Sequence, residues 1–202
     1  MIINIRGANG SGKTTVAKAF LRPEDGLTEV ELCANPVPKK QPAFVMGTIN
    51  AAKDTTIVGP YKTACGGMDA LPNFEVCRIA IRSAAKLSRN VICEGVLAST
   101  VFGSWADFAI AMNMTTVFAF AYLQTPVEEC LRRIKIRNGG KEIKEELVHG
   151  KIKAVAATRV RAIEAGFTVY DLPLELPEQA VAKILAGEGE EYLANRRHAD
   201  AK

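Results

Sequence analysis

The octapeptide Gly7-Ala8-Asn9-Gly10-Ser11-Gly12-Lys13-Thr14 constrains this chain more than any other stretch, because it meets the phosphate-binding pattern G-x-x-x-x-G-K-[ST] at every fixed position. Its three glycines let the backbone curl around a polyphosphate with N–H groups turned inward, and the helix that follows adds the partial positive charge of its N-terminus. The pattern assigns Gly7 to Thr15 to the nucleotide cradle, Lys13 to the β- and γ-phosphates and Thr14 to magnesium. The flanks agree with this reading. Met1–Ile5 is a short apolar run of strand type, and Thr15–Leu21 has helical character. A plain glycine-rich turn with a chance lysine is the competing reading, and the strand, loop and helix arriving in order weigh against it.

With 202 residues, 48% of them apolar and 24% charged, the chain has enough material for one α/β domain with a full core. Twenty-six basic and 22 acidic residues leave +4, too little by itself to indicate a nucleic-acid partner. Cys33, Cys65, Cys77, Cys93 and Cys130 are odd in number and contain no C-x-x-C pair, which argues against disulfide and zinc frameworks and suits a reducing cytoplasm. No signal peptide is expected at the N-terminus. The apolar run from Trp105 to Leu123 is interrupted by Asp107, Asn113, Thr115 and Thr116, so it reads as a helix and a buried strand rather than a membrane span.

Along the chain, Pro23 is expected to stop the first helix and the Pro/Lys-rich run 35–42 to be a loop. Residues 43–49 and 55–61 are β-rich and suggest a hairpin placed outside the parallel sheet. Thr63–Asp69 is a second glycine-rich loop, in which Gly66 and Gly67 allow a ligand close to the backbone; a plain turn remains an equal alternative. Asn73–Leu87 carries apolar residues at helical spacing, with Arg78, Arg82 and Lys86 along another face that reads first as a solvated one. Asn90–Gly95 is a short strand ending in Glu94, where a carboxylate near magnesium or a catalytic base is expected after a phosphate loop.

Residues 99–112 predict a helix and 116–123 a strand, and Thr125-Pro126 predicts the start of another helix, with Thr as its cap and Pro in its first turn. In that helix Arg133 and Arg137 lie one turn apart, a spacing that can hold a phosphoryl group during transfer. Asn138-Gly139-Gly140 breaks it, and a second long helix is expected over about 142–165. From Arg132 to Arg161 there are ten basic and three acidic residues, a local excess larger than the net charge of the whole chain. A glycine break between basic helices suggests a lid over phosphates, with a nucleic-acid contact as a further use. Residues 167–172 predict a strand, 177–186 a last helix and 187–202 a mobile tail. The sum is one P-loop NTPase domain over residues 1–186: a five-stranded parallel sheet with helices on both faces, a basic lid at 132–161 and a small hairpin insertion.

Leu123-Gln124-Thr125-Pro126 through Ile134, followed by Arg137, resembles the lid-leading helix of nucleoside and nucleotide kinases. Met1–Gly7, Gly59–Asp69 and Val91–Leu97 together resemble the bacteriophage 5-hydroxymethyluracil (5-hmdU) DNA kinases, a branch near the thymidylate kinases; the likeness runs in order over about residues 1–172. That resemblance implies an ATP- and magnesium-dependent phosphotransferase acting on the hydroxymethyl group of a modified base in viral DNA, a step toward base modifications that protect the genome from restriction. It implies Lys13, Glu94, Asp69, Arg133 and Arg137 as catalytic residues, Thr14 and Glu94 at the metal, and Tyr61, Gly66, Gly67 and Asp69 on the acceptor side. An alcohol acceptor, unlike a phosphate, benefits from a positioned carboxylate, and Glu94 and Asp69 are the two candidates, in either order. Two alternatives share the sequence features: a kinase of free nucleosides or nucleotides, and a nucleotide-binding adaptor that holds nucleic acid without phosphoryl transfer. Oligomeric state is not legible.

Overall fold

The computed structural model describes residues 1–36, 44–63, 66–141 and 143–194, and among these it is an α/β protein built on one seven-stranded mixed sheet. The strands are β1 (Ile2–Arg6), β2 (Leu27–Ala34), β3 (Phe44–Asn50), β4 (Thr55–Val58), β5 (Asn90–Glu94), β6 (Phe118–Leu123) and β7 (Thr168–Leu172), in the order β2-β3-β4-β5-β1-β6-β7. The helices are α1 (Lys13–Lys18), α2 (Phe74–Leu87), α3 (Val96–Thr100), α4 (Gly103–Asn113), α5 (Val127–Arg137), α6 (Glu145–Glu164) and α7 (Pro177–Ala186).

β1 runs parallel to both neighbours, β5 and β6, and all five of its residues are buried, as expected for a strand covered on two faces. Ile3 and Ile5 face α1 and α7, while Ile2 faces the larger core under α2 and α4. Each such side chain contributes about 1.5–3 kcal/mol by leaving water. The polar residues of β1 also lie on that second face. Arg6 is fully buried, donates from Nε to Asn4 Oδ1 at 2.7 Å and from Nη1 to the Val101 carbonyl at 3.3 Å, and lies 4.3 Å from the centre of the Phe120 ring.

The expected sheet needs correcting in three ways. It has seven strands rather than five; it is mixed, since β2·β3 and β3·β4 are antiparallel; and the hairpin predicted outside it is part of it, with β4 running parallel to β5. The other corrections are local. The helix expected over 99–112 is two helices, α3 and α4, separated at Val101-Phe102. α1 ends at Lys18, short of the expected Leu21. Thr125 does not cap α5; its hydroxyl donates instead to the Ser11 carbonyl of the glycine loop at 2.8 Å. α2 matches its predicted span, with the Asn73 side chain accepting from the Val76 N–H at 3.0 Å. Of its basic ridge, Arg78 donates to the Ser104 carbonyl at 2.7 Å and Arg82 lies 5.3 Å from the Phe108 ring, so both brace α4.

The stretch predicted as a mobile tail begins with residues that dock. Leu193 bridges Tyr170 of β7, and the Ala194 N–H donates to the Val169 carbonyl at 2.8 Å; residues 195–202 lie outside the described residues, as does most of the run 35–42. α5 and the first half of α6 share a small apolar cluster of their own, centred on Cys130, Ile134 and Val148. The second half of α6 belongs to the body: Val155 and Ala162 join the main core, and the Thr158 hydroxyl donates to the Ser99 carbonyl at 3.1 Å. Among the described residues no helix is long and apolar enough to cross a membrane.

Candidate active site

The carboxyl ends of β1 and β5 lie side by side, with Ile5 opposite Glu94, so the glycine loop leaving β1 sits directly against the carboxylate that ends β5. A cavity of about 380 Å³ opens between them. It brings together Asn9, Gly10, Gly12, Lys13, Thr14 and Thr15 of the loop, Gly66 and Asp69 of the second glycine stretch, Glu94, and Arg133 and Arg137 of α5. Gly10 and Gly12 have φ of +77° and +101°, and a Cβ on Gly10 would lie 2.4 Å from the Cys130 carbonyl oxygen, so the loop closes against α5 in a shape that only glycine permits. The first turn of α1 leaves its N–H groups without intrahelical acceptors at the mouth of the same cavity.

Lys13 is 5% exposed and donates to the Ala8 carbonyl at 3.0 Å. Burial pulls its ammonium below the ordinary lysine range, and the negative charge of Glu94 opposes that shift. Glu94 is 1% exposed, and its carboxyl is pushed up to about 7 by burial, against the pull of Lys13 and of the Thr14 hydroxyl. Thr14 Oγ1 donates to Glu94 Oε1 at 3.0 Å. A hydroxyl and a carboxylate in contact are hard oxygen donors of the kind magnesium takes alongside phosphate oxygens and water. Among the described residues no three or more His, Cys, Asp or Glu side chains are grouped so that they could hold a metal ion, so an ion here would depend on the nucleotide for the rest of its ligands.

Asp69 sits in the 3-10 turn Gly67–Ala70, and its two oxygens accept from the backbone N–H groups of Val96 at 2.7 Å and Leu97 at 3.1 Å. It therefore pins the start of α3, which no side chain of its own caps. Gly67, with φ of +69°, passes so close to Glu94 that a Cβ would lie 2.6 Å from its side-chain oxygen. Arg133 donates from Nε to Glu129 at 2.6 Å and from Nη1 to the Ser11 carbonyl at 3.2 Å, and Glu129 also accepts from Arg132. The two arginines hold the Glu129 carboxyl down to about 2.

Some predicted residues stand back from the cavity. Gly7, Ala8 and Ser11 form the outer side of the loop: the Gly7 N–H donates to Ser99 Oγ at 3.2 Å, while Ala8 and Ser11 line a separate cavity beside Gln124 and Arg159. Tyr61 packs into the core under α1, its ring against Gly66 and its hydroxyl buried without a hydrogen-bond partner among the described residues. It supports the second glycine stretch from beneath. Three residues at or beside the site were not singled out for it by the sequence. Val96 reaches the cavity because Asp69 positions α3, Lys151 donates to Asn9 Oδ1 at 3.1 Å, and Thr125 ties the loop to α5. For Lys151 the basic excess of its segment was the only available clue.

Fold and site together define an α/β protein with a glycine loop of the phosphate-binding pattern, in which a buried lysine, a hydroxyl and a carboxylate meet two arginines. Comparison with known proteins is more specific. The chain belongs to the 5-hmdU DNA kinase family, whose model matches residues 1–172. It is similar to the 5-hmdU DNA kinase of Pseudomonas phage M6, 34% identical over 197 residues that cover 93% of this chain and 98% of that protein. The 5-hmdU DNA kinase of Pseudomonas phage PaMx11 is 28% identical over 91% of this chain and 96% of its own length. That of Bacillus phage SP10 is 28% identical over 85% of this chain, matched to 26% of a longer protein.

Proposed function

We propose that this protein transfers the γ-phosphoryl group of ATP to the hydroxymethyl oxygen of 5-hydroxymethyluracil within DNA, with magnesium as the ion. The observation that carries this reading is the convergence of Lys13, Thr14, Glu94, Asp69, Arg133 and Arg137 on one cavity in a chain of the 5-hmdU DNA kinase family. In the reaction the bond between the γ-phosphorus and the β,γ-bridging oxygen breaks and ADP leaves with the electron pair. A bond from the hydroxymethyl oxygen to that phosphorus forms, and the hydroxyl proton passes to the Asp69 carboxylate and from there to solvent.

The role of each residue follows from its place. Lys13 neutralises the β- and γ-phosphates from within the loop, and Arg133 and Arg137 meet from α5 the charge that shifts onto the phosphoryl oxygens during transfer. Thr14 and Glu94 would hold magnesium, which would supply positive charge against the nucleotide's phosphates. Asp69 stands on the acceptor side: a carboxylate has about four lone-pair directions, two of its own meet backbone N–H groups, and the rest can accept from the hydroxymethyl O–H. The basic surface of α5 and α6 supplies attraction for the DNA backbone. The phage origin of the relatives supports the cytoplasm of an infected host as the setting.

Labelled ATP offered together with 5-hydroxymethyluracil DNA and the corresponding free nucleotides tests the reading. Label in the polymer is the expected result. Label confined to the free nucleotide overturns it in favour of a small-molecule kinase.

A further inference from the structure

Accepting the reading just given, the position of the acceptor base remains to be found, and the chemistry limits the search. The reacting oxygen is two bonds from C5 of the pyrimidine ring, so any pocket for the base must adjoin the phosphate cavity. The cavity beside Ala8 and Ser11 shares no lining residue with the phosphate cavity. Another does. A pocket of about 150 Å³ lies between the second glycine stretch, the start of α2 and α3, lined by Met68, Asp69, Phe74, Cys77, Leu97 and Trp105, and Asp69 is common to both.

Its lining suits one pyrimidine ring. Phe74 and Trp105 meet edge to face with ring centres 5.9 Å apart, and Met68 and Cys77 add an apolar wall. Trp105 is 1% exposed, yet its indole N–H has no acceptor among the described residues. A buried donor without a partner is costly, and a pyrimidine presents two ring carbonyl oxygens that could accept from it. The carboxylate of Asp69 stands at the junction, where a group on C5 would cross toward Lys13 and Glu94.

A base still stacked in a duplex cannot make this crossing. Its C5 substituent lies in the major groove, whereas Glu94 and Lys13 are 1% and 5% exposed at the bottom of a cleft. We infer that the 5-hydroxymethyluracil base is extruded from the DNA stack and held in the Met68–Phe74–Trp105 pocket, with its hydroxymethyl group passing Asp69 into the phosphate cavity. Unstacking costs a few kcal/mol in a paired duplex and less in a mismatch or a single strand. The enzyme therefore prefers the acceptor base unpaired.

Trp105 is the one tryptophan of the chain, so its own emission reports the pocket directly. Expected are a change in that emission when 5-hydroxymethyluracil DNA is added but not when ATP alone is added, and a higher kcat/KM for a mismatched or single-stranded acceptor than for a matched duplex. Two variants sharpen the test. Trp105→Phe keeps a ring and removes the N–H, and should lower kcat/KM for DNA about 5- to 10-fold. Leu97→Trp, at a position 62% exposed, narrows the mouth without entering the core and should lower it at least about 10-fold. A rise in melting temperature on adding ATP establishes that each variant is folded. Wild-type phosphorylation of DNA with silent Trp105 emission, or an unchanged kcat/KM in Leu97→Trp, overturns the pocket and leaves the kinase reading standing. Absence of phosphate transfer to any DNA overturns both.

Discussion

Lys13, Thr14 and Glu94 on one side of the candidate active-site cavity, and Arg133 and Arg137 on the other, are held by different means. The first three hang from buried strand ends and the short helix between them, and their backbones are fixed by pairings such as Ile5 with Glu94. The arginines stand on α5, whose apolar support is a small cluster apart from the sheet and which is followed by Gly139 and Gly140, both with positive φ. Arg133 is a third exposed and is held by the Glu129 carboxylate and one loop carbonyl. In the proposed reaction, the charge that binds ATP would thus lie on the rigid part and the charge that acts during transfer on the part with fewer restraints.

Removing charge from the rigid side should have the largest effect. Lys13→Ala is expected to lower phosphoryl transfer by roughly 10²-fold or more while the protein stays folded. Near-normal turnover in a folded variant would break the comparison outright. Glu94→Gln should depress transfer and slow ATP hydrolysis together, because a residue that holds the metal serves both, whereas Asp69→Asn should depress transfer with the KM for ATP little changed. Hydrolysis that survives in Glu94→Gln but fails in Asp69→Asn would exchange their roles.

Glu94 also has a signature in stability. Its carboxyl is raised from 4.5 to about 7 in the folded state, so between those values the native protein holds a proton that the unfolded chain has released. Stability of the ligand-free protein should therefore fall as pH rises through that window, by on the order of 3 kcal/mol. Urea unfolding at pH 5 and pH 8 measures this, and Glu94→Gln should flatten the profile. On the other side of the cavity, Arg133→Ala and Arg137→Ala should reduce the transfer rate more than ATP affinity, by about 10-fold or more. Equal losses in rate and affinity would mean that α5 only binds. The smallest effect is expected for Glu129→Gln, which loosens Arg133 at a surface ion pair and should leave the urea midpoint almost unchanged.

How much of this was legible follows the same division. The glycine loop, the strand ending in Glu94 and the arginine pair were readable because each is a local pattern of fixed spacing, and the structure brings them to one cavity. β2 was missed although Val30 and Leu32 alternate with Glu29 and Glu31 at the two-residue period of a strand; at a sheet edge most of its residues stay partly exposed, and the apolar signal is weak. The break between α3 and α4 falls just ahead of Gly103, an isolated glycine of the kind a helical pattern tolerates, so it did not announce the break. Thr125 has the composition of a cap, and only the arrival of the loop beside it, 114 positions distant in sequence, gives its hydroxyl another acceptor. The second bond of Arg6, to Val101, is likewise invisible to spacing arguments, being 95 positions away.

The central place of β1 has a consequence for how the protein comes into being. Ile2 pairs with Val91 on one side and with Phe118 on the other, so β1 gains its first neighbour only after β5 has been synthesised and its second only after β6. The antiparallel β2·β3 and β3·β4 pairs, by contrast, need only nearby chain and can assemble early. A nascent chain truncated before β6 should thus possess a formed sheet edge and no nucleotide affinity, and acquisition of ATP binding during synthesis would mark the moment at which β1 is enclosed on both sides.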